Sequence, residues 1–277
     1  MPIDTKVMLN GKLRSDHAAT ISPLHEGFLY GHGLFETIKV VARRPVFLAA
    51  HHARLTASAG ALELPYAVPL EVLRERIRDV LNANDLTQGC VKVVLFNQGD
   101  TTGELIATRA LAYSPETYAR GFRLQTRRTD RRLNSLSAHK TLNYLENIRA
   151  RRAALAAGCD EMLFIDDTGQ AIEGAGTNLF IVRGGVAFTP PLARGPLPGI
   201  ARAQVLGLLG PDRAREADID VAQLHAADEI FVTNALMGVM PVSRIDDQIY
   251  DLARNPFTRA LLDAYRAREQ PNLSPSP

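Results

Sequence analysis

Gly184-Gly185 separates two short β-rich runs, 178–182 and Val186–Thr189, and this spacing commits the chain to an antiparallel hairpin. The same strand–turn–strand signature opens the sequence, where Val7-Met8-Leu9 and Lys12-Leu13 flank Asn10-Gly11. Between the two hairpins the apolar period changes. The run Gly33–Val41 (GLFETIKVV) is β-rich and bounded by glycine, whereas Leu48, His52, Leu55, Ala59 and Leu62 recur at helical spacing, as do the apolar residues of 70–81. Further strands are expected at 91–96 and 105–113. Hairpins interleaved with amphipathic helices indicate an α+β fold, with a first domain over 1–114.

Ser114-Pro115-Glu116-Thr117 reads as the start of a linker, 115–121, before a second domain over 122–269. In that domain a strand is expected at Phe122–Arg128, then an arginine-rich loop. A helix should begin near Asn143, which can cap it, with Glu146 three residues later. Its expected apolar face is Tyr144, Leu145, Ile148 and Leu155, and Gly158 should stop it. Strands follow at 161–166 and 171–173, then the glycine-pair hairpin, a helix after Pro198-Gly199, a strand at 229–233 and a last helix over 255–268. The Pro/Ser-rich tail 270–277 reads as disordered. No internal repeat is present.

With 277 residues, 46% hydrophobic and 22% charged, the chain can bury a large core. A net charge of +2, with both signs mixed along the sequence, argues against a nucleic-acid partner. The cluster Arg127, Arg128, Arg131, Arg132 reads as a solvated or carboxylate-binding loop. Cys90 and Cys159 lack metal-ligand spacing, so no metal site is expected, and two lone thiols suit a reducing compartment. The opening MPIDTKVMLNGK has no apolar leader and no stretch reaches membrane-spanning length, so the expectation is a cytoplasmic protein away from membranes.

Four stretches can carry chemistry, and each has an ordinary reading. Lys140 precedes the helix of KTLNYLENIRARR, where a lysine is most simply a solvated surface residue. Glu173 lies in AIEGAGTNLF, where a glutamate is most simply a turn residue. Gly199-Ile200-Ala201 in LPGIARAQV starts a helix, whose N–H groups form an anion site if anything binds there. Arg54 in HHARL is most simply an exposed helical arginine.

Taken in order, HEGFLYGHGLFETIKV (25–40), HHARL, KTLNYLENIRARR, AIEGAGTNLF, LPGIARAQV and TNALMGVMPV (233–242) resemble the class-IV pyridoxal-phosphate family, which holds branched-chain and D-amino-acid aminotransferases and aminodeoxychorismate lyase. The resemblance spans nearly the whole chain. It implies a two-domain, fold-type-IV enzyme with its active site between the domains, pyridoxal 5'-phosphate as cofactor, a small amino or carboxylate substrate, and a homodimer. Lys140 matches the lysine that holds the cofactor as a Schiff base and moves protons on the substrate. Glu173 matches the carboxylate that keeps the ring nitrogen protonated. Arg54 and the backbone N–H groups of Ile200 and Ala201 match the phosphate site. The backbone at Asn234 and Ala235 matches the other phosphate-side loop, although that loop often carries a hydroxyl where Ala235 stands. Tyr144 matches a residue near a cofactor oxygen, with core packing as its alternative.

Two features resemble the lyase within this family, which eliminates pyruvate to give 4-aminobenzoate for folate biosynthesis. NALMGVMPV is lyase-like, and Thr37 in FET stands where lyases carry threonine; its hydroxyl could assist the leaving oxygen, and its plain reading is a strand residue. The run VKVVLFNQGDTTGELIA lacks both the arginine- and glycine-rich continuation of some lyases and the Arg-x-His clamp of D-amino-acid aminotransferases. Lys92, Arg109 or an arginine of 127–132 are then the candidate carboxylate binders. An aminotransferase for branched-chain or D-amino acids is the alternative.

Overall fold

The computed structural model describes residues 5–111, 113–129 and 135–270, which divide into two compact units. The first comprises 1–112, 139–143 and 269–277; the second comprises 113–138 and 144–268.

The first unit is built on an antiparallel sheet. Its strands are β1 (Lys6–Leu9), β2 (Lys12–Ser15), β3 (Gly33–Val41), β4 (Arg44–Pro45), β5 (Gly89–Asn97) and β6 (Thr102–Arg109), in the order β2-β1-β6-β5-β3-β4. The Asn10-Gly11 hairpin forms as expected, with Leu9 opposite Lys12. Its helices are α1 (Glu26–Leu29), α2 (Leu48–Ala61) and α3 (Leu70–Ala83). Strand alternation sends Leu34, Ile38 and Val40 into a core with Leu55 and Ala59 of α2 and Leu73 and Ile77 of α3. Each such fully buried side chain contributes about 1.5–3 kcal/mol. Phe35, Thr37 and Lys39 take the other face, opposite Val94, Lys92 and Cys90 of β5.

Residues 139–143 join this unit through the free edge of β3. The Phe35 N–H donates to the Lys140 carbonyl at 2.8 Å and the Leu142 N–H donates to the Gly33 carbonyl at 3.0 Å, with Leu34 bridged to Thr141. Gly33 is required there, because a Cβ would lie 2.4 Å from the Leu95 carbonyl oxygen. The division is therefore discontinuous in sequence, unlike the simple boundary at 114. Backbone pairing with a distant strand has no local signature.

The second unit opens with α4 (Pro115–Arg120), a helix where the composition reads as linker. Ser114 before it, proline in its first turn and Gly121 at φ 71° after it are boundary residues of a short helix. Then come β7 (Phe122–Arg128), α5 (Leu145–Ala156), β8 (Glu161–Ile165), β9 (Ala171–Gly174), β10 (Asn178–Arg183), β11 (Val186–Thr189), α6 (Ile200–Arg213), β12 (Ala214–Glu216), α7 (Val221–His225), β13 (Glu229–Asn234), β14 (Gly238–Ile245), β15 (Gln248–Ile249) and α8 (Pro256–Glu269). The sheet order is β12-β11-β10-β13-β14-β7-β8-β9, with β15 beside β14. The Gly184-Gly185 hairpin is realised, Arg183 facing Val186. Pro241 disguises β14, since proline disfavours central strands; the strand nonetheless pairs with β13, and with β7 across an irregularity at 242–244.

The helix after Lys140 corrects two expectations. Its cap position is Tyr144, and no side chain caps it. Asn143 instead donates from Nδ2 to the Gly31 carbonyl at 3.3 Å, and Glu146 accepts from the Thr129 hydroxyl at 3.2 Å. Its buried face is Asn147, Ala150 and Ala154, while Leu145, Ile148 and Leu155 are exposed. Small residues let α5 pack close to β8, against Cys159, Met162 and Phe164. The stop is as expected, with Gly158 at φ 72°. Arg127 and Arg128 are exposed at the end of β7, whereas Arg131, Arg132 and 271–277 of the tail lie outside the described residues. Among the described residues no helix is long and apolar enough to cross a membrane.

Candidate active site

In the first unit, Lys140 lies on the Phe35 face of the sheet. Its Nζ is 4.3 Å from the centroid of the Phe35 ring, and the Lys92 Nζ approaches the same ring at 4.4 Å. Lys140 is partly buried, unlike the solvated lysine of the ordinary reading. Thr37, two residues beyond Phe35 on β3, stands directly opposite Lys92 on β5. Arg109 is aligned with Cys90 at the next even position of that face. Burial, then the charge of Arg109, pushes the Lys92 ammonium below its usual value. The structure thus gathers an aromatic ring, a hydroxyl and several cations, which is a surface for an anionic, planar molecule.

Arg54 is no exposed helical arginine. It forks onto Glu36, Nε to Oε1 at 2.7 Å and Nη2 to Oε2 at 2.6 Å, and the His51 Nδ1 meets the same carboxylate at 2.7 Å. The Glu36 and His51 side chains are 2% and 1% exposed and that of Arg54 is 13% exposed, so this is a buried cluster and no exposed helical arginine. Burial pushes the Glu36 carboxyl up, but the hydrogen bonds from His51 and Arg54 outweigh it and hold the group at about 2. Because that lies below the ordinary carboxyl value of 4.5, the stabilisation is full above pH of about 4.5 and is lost as pH falls from there through about 2. Glu36 and His51 were not singled out in the sequence; a charged residue at a buried-parity position of β3, with His and Arg three apart on α2, was the available signal.

The second unit gathers the remaining candidates around 173–178. Glu173 is buried in β9, and its Oε2 accepts the Leu197 N–H at 2.8 Å. Asn178 donates from Nδ2 to the Leu197 carbonyl at 2.9 Å. Gly199 then starts α6 with no side-chain cap, and a Cβ on it would sit 2.0 Å from the Asn178 Oδ1. The Ala203 N–H donates the first intrahelical bond to the Gly199 carbonyl at 2.9 Å, so the N–H groups of Ile200 and Ala201 precede the helix's own ladder. Both residues are buried. Asn234 ends β13, and its Oδ1 accepts the N–H groups of Leu236 and Met237 at 2.9 Å each, fixing the turn that contains Ala235. Tyr144 donates its hydroxyl to the Ala175 carbonyl at 3.2 Å. The Glu173 carboxylate is an acceptor that fits a protonated pyridine nitrogen, and the uncapped helix start offers donors that fit a phosphate.

The sequence model of the family described as amino-transferase class IV matches residues 33–245. A Methanocaldococcus jannaschii protein provisionally described as a branched-chain-amino-acid aminotransferase is 32% identical over 263 residues, covering 88% of this chain and 89% of its own. The aminodeoxychorismate lyase of Bacillus subtilis is 26% identical over 280 residues, covering 94% and 93%. Among solved structures, the branched-chain aminotransferase of Thermoproteus uzoniensis superposes with a TM-score of 0.86 at 28% identity, covering 95% of this chain and 93% of that one.

Proposed function

This chain belongs to the amino-transferase class IV family, whose enzymes use pyridoxal 5'-phosphate, and on that footing we propose that it is a 4-amino-4-deoxychorismate lyase, releasing pyruvate and 4-aminobenzoate. The observation that carries this reading is the pairing of Thr37 with Lys92 on the face that holds Lys140. A leaving ether oxygen needs a proton donor, and a substrate bearing carboxylates needs cations. Thr37 offers the first, and Lys92 and Arg109 offer the second. The hydroxyl-free turn at 235–237, leading into GVMPV, is the supporting sequence feature.

The bound cofactor supplies an electron sink that acidifies the carbon carrying the substrate amine. Lys140 anchors that cofactor covalently and takes the proton from this carbon. Thr37 hydrogen-bonds the ether oxygen, which takes the electron pair of the broken carbon–oxygen bond and departs as the enol that becomes pyruvate, and the substrate ring aromatises with its amine retained. Glu173 keeps the ring nitrogen protonated. Arg54 and the amides of Ile200 and Ala201 bind phosphate, with main-chain contact at Asn234 and Ala235, and Tyr144 faces a cofactor oxygen.

With aminodeoxychorismate and no keto acid, the protein should form 4-aminobenzoate and pyruvate in equal amounts over many turnovers. Thr37→Gly should slow elimination by about tenfold to a hundredfold while leaving covalent cofactor attachment intact. Amine transfer from leucine or D-alanine without any aromatic product would replace this reading with the aminotransferase one. That second reading is favoured by the relatives described as branched-chain aminotransferases, including the one at 32% identity.

A homodimer is part of the proposal. Leu24, Phe28, Leu29 and Tyr30, from 80% to 51% exposed within one short stretch around α1, make an apolar surface of the kind that soluble chains cover by association. Light scattering at micromolar concentration should give twice the chain mass; a monomer removes the claim.

A further inference from the structure

Glu161 has no part in the chemistry described so far, yet it is 3% exposed at the start of β8. Its Oε1 accepts the Met162 N–H at 3.0 Å and its Oε2 accepts the Gly176 N–H at 3.1 Å. Burial pushes its carboxyl up to about 7, against the pull of backbone donors at Met162, Gly176 and Ala175 and the charge of Arg151. A buried carboxyl is costly wherever a hydrophobe would fill the space, so its placement calls for a reason.

The turn lying on that carboxylate supplies one. Gly174 admits no side chain: a Cβ would fall 2.1 Å from the Thr177 Oγ1 and 3.0 Å from the Glu161 Cγ. The Gly176 N–H of the turn rests on Glu161 and the Ala175 N–H donates to the carbonyl of the next residue, Met162, at 2.8 Å, while the turn's carbonyls point to other elements. The Ala175 carbonyl accepts from the Tyr144 hydroxyl at 3.2 Å and from the Asn147 Nδ2 at 2.9 Å. The Gly176 carbonyl accepts from the Asn234 Nδ2 at 3.3 Å. Asn234 in turn holds the 235–237 turn through its Oδ1. One buried carboxylate thus underlies the aim of two side chains that come from separate parts of the chain. We propose that Glu161 is a positioning residue, fixing the 174–176 turn and through it setting Tyr144 and Asn234 toward the cofactor. This rests on the cofactor-site reading given above.

Glu161→Gln in the full chain tests it. The amide keeps the volume and one acceptor but turns an N–H group toward one of the two backbone donors, so one of them loses its partner. Apoprotein titrated with pyridoxal 5'-phosphate should bind at least tenfold more weakly than the native protein. The same substitution made in an Asn234→Ala, Tyr144→Phe background should cost less than threefold, because the residues through which Glu161 acts are already gone. An equal loss in both backgrounds, or none in either, overturns the proposal. A role confined to folding would lower the melting temperature and leave affinity at 20 °C unchanged, which also overturns it. If Glu161→Gln does not fold, Glu161→Asp, which withdraws the carboxylate by one methylene, enters the same cycle. Failure of the native protein to bind the cofactor would instead remove the reading beneath it.

Discussion

Lys140→Ala is expected to abolish covalent attachment of pyridoxal 5'-phosphate and to reduce turnover by about 10³-fold or more, because one amine serves both as anchor and as proton carrier. The fold should survive. Its Nζ stands over the Phe35 ring at 4.3 Å, and a cation over an aromatic face contributes about 0.5–1 kcal/mol. The strand-edge pairing at this position uses the Lys140 carbonyl, which alanine keeps. Melting should therefore move by no more than about 3 °C. Borohydride reduction and peptide mapping check the assignment directly: a reduced cofactor on Lys92, the other ammonium at the same ring, would transfer the role to that residue. Arg54→Ala should weaken cofactor affinity in apoprotein titration more than it slows turnover at saturating cofactor.

Glu173→Gln should keep the cofactor and lose about 10²-fold or more in rate. The Leu197 N–H, now bonded to Oε2 at 2.8 Å, can be met equally well by the amide oxygen, so the local backbone and the approach to α6 need not move. The amide nitrogen then points where a carboxylate oxygen stood. It donates instead of accepting, and it carries no charge, so nothing holds a proton on the ring nitrogen. Cofactor affinity within about threefold of native, together with the rate loss, is the expected signature in steady-state assays and titration. Near-normal turnover would assign control of the ring to another group.

Periodicity and turn chemistry located most strands and helices, because a run such as GLFETIKVV or a glycine pair states its conformation locally. The ordered motifs likewise singled out Lys140, Glu173, the start of α6 and the Asn234 turn as candidates. What the sequence could not state depends on partners remote along the chain. Alternate burial of β3 becomes chemistry only when α2 brings His51 and Arg54 onto Glu36. The α5 helix shows large apolar residues at helical spacing, yet buries Ala150 and Ala154, since close approach to β8 favours small side chains over hydrophobic ones. Residues 139–143 follow the second unit's β7 in sequence but pair with β3, so Lys140 belongs to the first unit. Local sequence determined which residues could form each element and which could carry chemistry. Tertiary structure decided which face is buried, which carboxylate meets which cation and which strand edge holds Lys140, because each of those outcomes is fixed by contacts between separate elements rather than within one.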